Sequence, residues 1–465
     1  MESEGIRYRI NPTFIFRKIG QVNVLVNITN NKLYELNETA VKIFILLSQS
    51  YSVENIVYSI CKEYEVETQV ALSDVERLIL IFKKIGLLNS TKNRIQDSIS
   101  YVIPKRQLSY YVKNYWSKQE HPYKVSTFEI TPQCNFSCLH CYQGTNRIKG
   151  RQLSTKELKL IFDKLANLDI LQINIAGGEP FVREDFDDLY RYAKHKGFLI
   201  RIFTNCSLLK DSHIDLFKRF PPEKIIVTLY GAGEDTYKKT TKKIGMFDKV
   251  IHNINLLSIS KICFSIKYMI TKLTLSDFSR ICDIASFYNV ELRYAYYIFP
   301  SSTKDISICD YMIDVKDMLL LETNKQSLIN ERIAKLDTNC IKKRFSDNVV
   351  NGFPCNFPSN EFFIDYEGKI YACSAGMKQY GGNILLDSFM DIWQKFINLN
   401  NKTVSNNNCV NCDAYFFCAN CPADQMSFYG DINSVNEKMC LFARAKYLYY
   451  RKHWSVVKII EKLNL

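Results

Sequence analysis

The sequence predicts an α/β protein: a partial (β/α)6 barrel with a winged-helix-like α+β unit before it and a cysteine-rich unit after it. Three observations predict this. Between Lys124 and Phe299, strand-like runs alternate with amphipathic stretches. Residues 13–88 read as three short strands followed by three helices. Beyond Asp310 the alternation fades and the cysteines crowd together. A chain of 465 residues, 47% hydrophobic and 23% charged, can bury a sizeable core, and about three domains at roughly 150 residues each are expected. That composition excludes long disorder and a fibrous repeat, and no solenoid repeat is present.

The N-terminal strands are Thr13–Ile19, Val22–Ile28 and Lys32–Leu36, with turn chemistry at Gly20 and at Asn30-Asn31. Helical patterns follow over Glu38–Leu47, Val53–Tyr64 and Leu72–Ile85, the last closed by Gly86. Residues 93–122, polar and aromatic with one proline at Pro104, form a linker. The barrel strands are Val125–Thr131, Leu171–Ala176, Leu199–Thr204, Ile225–Tyr230, Cys263–Ile270 and Glu291–Phe299. Ser154 and Glu157 form a capping-box pair at the start of the first barrel helix. A parallel sheet of this kind carries its site at the C-terminal ends of its strands. The final helical pattern, Phe442–Leu465, is basic and aromatic; packing back on the barrel is expected, with a membrane surface or an acidic peptide as alternatives.

The net charge of +13 comes from scattered lysines with no dense basic block, which points to a solvated surface and away from nucleic acid. No run approaches the ~18 apolar residues of a membrane span; Leu78–Phe82 is about as apolar as the chain becomes. The opening MESEGIRYRI lacks the pattern of a secretory signal, so a cytoplasmic location is expected. In that compartment sixteen cysteines point to metal or catalysis before disulfides.

Cys134-x3-Cys138-x2-Cys141 follows a predicted strand directly. Three thiolates on one loop can hold three irons of a four-iron cluster, leaving the fourth open to a small molecule. A zinc knuckle is the alternative, although zinc prefers four ligands and Cys-x-x-Cys pairs. At the end of the next strand stands Gly177-Gly178-Glu179-Pro180, where glycines permit close backbone approach and a glutamate can accept from an amine. Taken alone, such a glycine pair is more often a simple turn.

Together, the cysteine loop and the Gly-Gly-Glu-Pro turn on a β/α barrel resemble the radical S-adenosylmethionine (SAM) superfamily. Thr204-Asn205, Thr228-Leu-Tyr-Gly231 and Tyr237 match further along in order. The resemblance implies that the methionine amine and carboxylate chelate the open iron of a [4Fe-4S] cluster. Reduction then cleaves the carbon–sulfur bond, and the resulting adenosyl radical takes a hydrogen atom from substrate. Carried over, His140 and Tyr142 neighbour the adenine, Gly177, Gly178, Glu179 and Pro180 cradle the amine, and Asn205 and Thr228 reach the ribose or the carboxylate. Two positions depart from the pattern: Cys206 stands for glycine after Thr-Asn, and Thr241-Lys242 stands for Thr-Gly.

The C-terminal cysteines, Cys355-x12-Gly368-x4-Cys373, Cys409-x2-Cys412-x5-Cys418-x2-Cys421 and Cys440, resemble the SPASM extension, with one residue fewer before Cys421. That resemblance implies two auxiliary [4Fe-4S] clusters. Cys409, Cys412, Cys418 and Cys440 would complete one; Cys355, Cys373 and Cys421 would hold the other and leave an iron for Cys340 or for a substrate thiolate. Zinc is the alternative for the Cys409–Cys421 stretch. Cys61, Cys206, Cys263, Cys282 and Cys309 read as free thiols.

Residues 13–88 resemble the RiPP recognition element, the PqqD-like domain that holds leader peptides, through Lys32-Leu-Tyr-Glu-Leu-Asn-Glu38 and Lys84-Ile-Gly-Leu-Leu88. A leader would add as a strand to the edge at Asn31–Leu36 against the third helix. A DNA-binding winged helix would need a basic recognition helix, whereas the third helix carries Asp74, Glu76 and Arg77. A purely structural docking domain is a further alternative. The expected layout is then 1–92 recognition element, 93–122 linker, 123–310 radical SAM barrel, 311–354 bridging region, 355–441 SPASM domain and 442–465 C-terminal helix.

The combination resembles maturases of ribosomally made peptides that build thioether bridges in sactipeptides and ranthipeptides. It implies a precursor-peptide partner and an electron donor such as flavodoxin or ferredoxin. Carbon–carbon crosslinking and formylglycine formation, as in sulfatase maturation, are the alternative chemistries. An iron–sulfur peptide-binding or redox-sensing protein is the non-enzyme alternative. No catalytic acid or base is nominated.

Overall fold

The computed structural model describes residues 7–89, 124–144, 151–301, 305–324, 361–373, 380–402, 412–414, 417–418, 421–431 and 434–464. The expected linker and Cys340, Cys355 and Cys409 lie outside them.

The N-terminal unit opens with β1 (Arg9–Ile10), β2 (Phe14–Ile19), β3 (Val22–Asn27) and β4 (Lys32–Leu36). It continues with α1 (Glu38–Ser48), α2 (Val53–Tyr64), α3 (Thr68–Lys84) and β5 (Leu88–Asn89), which returns to pair with β1. The side chains of Asn37 and Ser52 cap α1 and α2 by accepting from Ala40 N and Asn55 N. The third helix begins one turn before the expected Leu72, where no side chain supplies a cap.

The three-stranded sheet β2–β3–β4 is buried on both faces. Phe14, Leu25, Tyr34 and Leu36 pack with Ile43, Leu47, Ile56, Val75 and Phe82 of the helices. Ile19, Val22, Val24, Val26 and Leu33, on the alternate face, pack against Leu171 and Leu199 at the starts of two barrel strands. Polar contacts secure this seam. Arg17, 7% exposed, donates to the carbonyls of Lys196 (2.9 Å), Ala166 (3.1 Å) and Ile170 (2.9 Å). Lys194, fully buried, donates to Asn31 Oδ1 (2.6 Å) and Pro221 O (3.1 Å). Burial brings the Lys194 ammonium down to about 7, with Glu223 opposing the shift.

The barrel follows as β6 (Lys124–Glu129), α4 (Thr155–Asn167), β7 (Gln172–Ala176), α5 (Phe186–His195), β8 (Leu199–Thr204) and α6 (Asp211–Arg219). Then come β9 (Lys224–Leu229), α7 (Glu234–Thr241), α8 (Phe247–Ile259), β10 (Phe264–Met269), α9 (Phe278–Phe287) and β11 (Leu292–Ala295). The Ser154–Glu157 capping box is formed at α4. Strands β6 to β11 run parallel in chain order and do not close: β11 is an edge of the sheet.

Alternation divides the two faces. Ile173, Ile175, Ile200, Ile202, Ile225, Val227, Ile266 and Tyr268 face the helices and form the main core with Phe162, Phe186, Phe217 and Ile254. Each such side chain contributes roughly 1.5–3 kcal/mol on burial. The opposite, concave face is polar: Gln172, Asn174, Arg201, Lys224, Thr228, Lys267 and Arg293. The last strand ends before the expected Phe299, because Tyr296 leaves the sheet to stack on Phe442 at 5.8 Å.

After α10 (Val315–Asn324), within the expected bridging region, β12 (Glu361–Ile364) pairs parallel with β6. With β13 (Lys369–Tyr371) and β14 (Tyr380–Asn383) it extends the barrel into one nine-stranded sheet. α11 (Phe389–Lys402) covers that extension, with Trp393 and Phe389 on Phe362. α12 (Pro422–Tyr429), α13 (Glu437–Lys452) and α14 (Val456–Leu463) complete the described chain. The pattern Phe442–Leu465 thus lies in two helices, parted at His453, whose φ is 53°. Both pack on the main core, through Phe442, Ala445 and Ile459. Among the described residues no helix is long and apolar enough to cross a membrane.

Candidate active site

The loops leaving β6 to β9 meet at the C-terminal ends of the strands. Cys134, Cys138 and Cys141 lie in the loop after β6, which is held from two sides. From one side the end of α7 accepts at Thr241 O from Ser137 N and at Thr240 O from Leu139 N, both at 3.0 Å. From the other, Gly178 N donates to Thr131 O (2.9 Å) and Glu179 N to Gln133 O (2.8 Å). All three thiols act on one neighbour: burial first, and then the cysteines, push the Tyr230 hydroxyl well above its ordinary value. Among the described residues no three Cys, His, Asp or Glu gather tightly enough for a single metal ion. A four-iron cluster instead takes one thiolate per iron, so a donor set of three thiols on one loop fits it better than zinc.

The two glycines are required by close approach. A Cβ on Gly178 would stand 2.1 Å from Gln133 O, and one on Gly177, at φ 153°, 2.5 Å from Thr131 O. Backbone therefore lies against backbone immediately before Cys134. Glu179 is fully buried and accepts from Phe181 N (3.3 Å), Thr204 Oγ1 (2.7 Å) and Asn205 N (2.7 Å). Burial raises its carboxyl to about 7 against those donors. Its side chain thus knits the exits of β7 and β8 together, leaving the turn's backbone to meet a ligand. Pro180 opens the short turn that follows.

Asn205 is turned toward the cysteine loop: Nδ2 donates to Asn135 Oδ1 (2.9 Å) and stands 4.0 Å from Cys134 Sγ, while Oδ1 accepts from Ser207 N (2.9 Å). Tyr142 donates to Glu129 Oε1 (2.7 Å) at the end of β6. The His140 ring lies 5.9 Å from that of Tyr230, and burial, then Lys267, bring it down to about 4. Thr228 faces the concave wall in register with Lys267. Asn135, Ser207, Glu129 and Lys267 escaped the sequence reading; the available signal was a lysine at an inward position of a strand buried on both faces.

The departures at Cys206 and Lys242 share one backbone state, with φ of 62° and 61°. Lys242 is the exposed C-cap of α7, a position that favours glycine. Lys242→Gly is therefore expected to stabilise the protein by about 0.5–1 kcal/mol, read as a rise in melting temperature with cofactor cleavage unchanged.

In the C-terminal part, Cys373 follows β13 and Cys421 caps α12, both packed against the main core. Cys440 on α13 is near enough to Cys412 for the second thiol to raise it, burial being the larger cause.

Comparison with known proteins agrees with this arrangement. The radical SAM superfamily model matches residues 128–285, that of coenzyme PQQ synthesis protein D (PqqD) residues 23–88, and the SPASM iron–sulfur cluster-binding domain residues 355–422. The AdoMet-dependent heme synthase of Methanosarcina barkeri is 22% identical over 344 residues, covering 70% of this chain and 97% of its own. Mycofactocin maturase MftC of Mycolicibacterium smegmatis is 26% identical over 280 residues, covering 58% and 69%. Streptococcus suis SuiB bound to its precursor peptide SuiA superposes with a TM-score of 0.58 at 16% identity, covering 93% of this chain and 99% of that one. This is a radical SAM enzyme. It carries a PqqD-type domain before the barrel and a SPASM domain after it, and its cofactors are S-adenosylmethionine and [4Fe-4S] clusters.

Proposed function

We propose that the enzyme matures a ribosomally made precursor peptide by joining a cysteine sulfur to a carbon of another residue. The observation that carries this reading is the PqqD-type unit itself: β4 is an edge strand, paired with β3 alone among the described strands, and the whole sheet is seated on the barrel. An edge strand offers main-chain hydrogen bonds to an added peptide strand. MftC is named a maturase and SuiB is bound to a precursor peptide, which supports the same reading; a heme synthase does not require a peptide-holding edge.

In this reading residues 1–92 hold the leader, 123–310 the reaction and 355–441 the auxiliary clusters. Cys134, Cys138 and Cys141 hold the barrel cluster, and the backbone of Gly177–Glu179 takes the methionine amine. His140 and Tyr142 flank the adenine, and Thr228 faces the ribose or the carboxylate. Asn205 acts through Asn135 by positioning the cysteine loop. Cys409, Cys412, Cys418 and Cys440 hold one auxiliary cluster; Cys355, Cys373 and Cys421 hold the other. S-adenosylmethionine, when bound, would supply a 5′-deoxyadenosyl radical to remove one hydrogen atom from the acceptor carbon; as the carbon–sulfur bond forms the cysteine thiol gives up its proton, and an auxiliary cluster takes the remaining electron. An external electron donor of the flavodoxin or ferredoxin type is required.

The test is the mass and thiol count of a cysteine-containing peptide encoded beside the gene, co-produced with the enzyme without oxygen. Thioether formation predicts loss of two hydrogens per bridge with the thiols no longer alkylatable. The same loss with alkylatable thiols would mean a carbon–carbon bond and would overturn the thioether assignment.

A further inference from the structure

We propose that the lysines at the end of α7 are the docking surface for an acidic one-electron carrier protein that reduces the barrel cluster. Scattered along the chain as a whole, lysines gather here: from Thr236 to Phe247 there are four, Lys238, Lys239, Lys242 and Lys243, and no acid. All four are exposed, and among the described residues none of them forms an ion pair. Beside them Ile244 is 68% exposed. The stretch is fixed in place. Lys242 N donates to Lys238 O (3.0 Å) and Lys243 N to Thr241 Oγ1 (3.3 Å), while the Glu234 carboxylate accepts from Gly245 N and Phe247 N.

The same turn carries the cysteine loop. Thr240 and Thr241, whose carbonyls accept from Leu139 N and Ser137 N, stand between the two lysine pairs, and both are buried. One helical turn is therefore the layer between these lysines and the residues that separate Cys134, Cys138 and Cys141. Lysines in the last turn of a helix favour its dipole, which accounts for Lys238 and Lys239. The dipole does not call for an exposed isoleucine, nor for a side chain at the left-handed cap Lys242, where glycine is more stable. A basic rim around an apolar contact matches an acidic protein: charge steers the encounter, and the apolar residue is covered on arrival. The partner's acidity follows from that complementarity, and its redox role from the loop beneath. One electron leaves the carrier's reduced flavin or iron–sulfur centre, which is oxidised by one, and enters the cluster that Cys134, Cys138 and Cys141 hold. The inference rests on the external donor of the proposed function and is independent of the peptide chemistry.

The experiment compares full-length, cluster-loaded enzyme as wild type, as Lys238→Glu/Lys239→Glu/Lys243→Glu, and as the milder Lys238→Gln/Lys239→Gln/Lys243→Gln. A control, Lys62→Glu/Lys218→Glu/Lys261→Glu, makes the same change in net charge as the first variant at exposed lysines elsewhere. Dissociation constants of a flavodoxin and of a ferredoxin are measured by calorimetry. Formation of 5′-deoxyadenosine is then driven by each reduced carrier or by dithionite. Carrier binding and carrier-driven formation should weaken at least tenfold in the Glu variant and at least threefold in the Gln variant. Dithionite-driven formation should stay within twofold of wild type in every variant, Lys242→Gly included, and the control should match wild type under both drives. Rising salt should weaken carrier binding more steeply in wild type than in the Glu variant. Carrier binding that is unchanged in both lysine variants, or lost equally in the control, overturns the proposal. A wild-type enzyme that neither carrier can drive, while dithionite can, refutes the external donor and the proposal with it. Failure of the maturase reading would show separately, as an unmodified peptide mass.

Discussion

Gly178→Ala is expected to abolish cofactor cleavage while the protein stays folded. The added methyl would meet Gln133 O at 2.1 Å, Gln133 C at 2.5 Å and Pro132 O at 2.7 Å, all backbone atoms that cannot rotate away. Relief requires parting the two segments, which breaks the bonds from Gly178 N to Thr131 O and from Glu179 N to Gln133 O. Two lost backbone bonds at about 1 kcal/mol each, with about 1–3 kcal/mol of overpacking, concentrate roughly 3–5 kcal/mol on the residues just before Cys134. Formation of 5′-deoxyadenosine under a strong reductant should fall at least 100-fold, with iron content reduced as the cysteine loop shifts. Gly86→Ala is the control: its φ of 81° costs about 1 kcal/mol, but a Cβ there meets nothing within 4 Å. Cleavage within threefold of wild type in Gly178→Ala would show that the turn does not hold the loop in place.

The elements that sequence reading placed well are those whose local and tertiary preferences agree. Strand β8, the helix Val53–Tyr64 and the Ser154–Glu157 cap stand where alternation, helical period and cap chemistry put them. Strands β12 to β14 escaped it because they are three or four residues long, include Gly381-Gly382, and are placed through β12, which pairs with β6 more than 230 residues earlier. Alternation in Val22-Asn-Val-Leu-Val-Asn27 suggested a strand but not that both of its faces would be covered, because the second partner is the barrel. At the site, the motifs were legible as motifs. Which atoms of Glu179 and Asn205 face inward was not, because that depends on Thr204, Asn135 and Ser207 arriving from other loops.

That second covered face leads to the other large effect. Arg17→Met should uncouple peptide modification from cofactor cleavage. The guanidinium joins the N-terminal sheet to three barrel carbonyls, with Nη1 on Lys196 O and Nη2 on both Ala166 O and Ile170 O, while its Cζ lies 5.3 Å from the centre of the Phe198 ring. Methionine replaces the stem but none of the donors, so three carbonyls, that of Ile170 buried and the other two partly so, lose a charged partner. Bonds to a charged group contribute about 1.5–3 kcal/mol each, and non-additivity brings the expected loss to about 3–5 kcal/mol at this seam. The N-terminal unit keeps its own core of Leu25, Ile43, Ile56, Val75 and Phe82, so it should loosen from the barrel and stay folded. Cofactor cleavage without peptide depends on loops at the opposite ends of the strands and should stay within twofold of wild type. Peptide modification, which in the proposed function needs the leader held at a fixed place, should fall at least tenfold. Arg17→Lys should resemble Arg17→Met, because one ammonium cannot reproduce a planar fork across three acceptors. Peptide modification at the wild-type rate in Arg17→Met would mean that docking of this sheet plays no part in presenting the substrate.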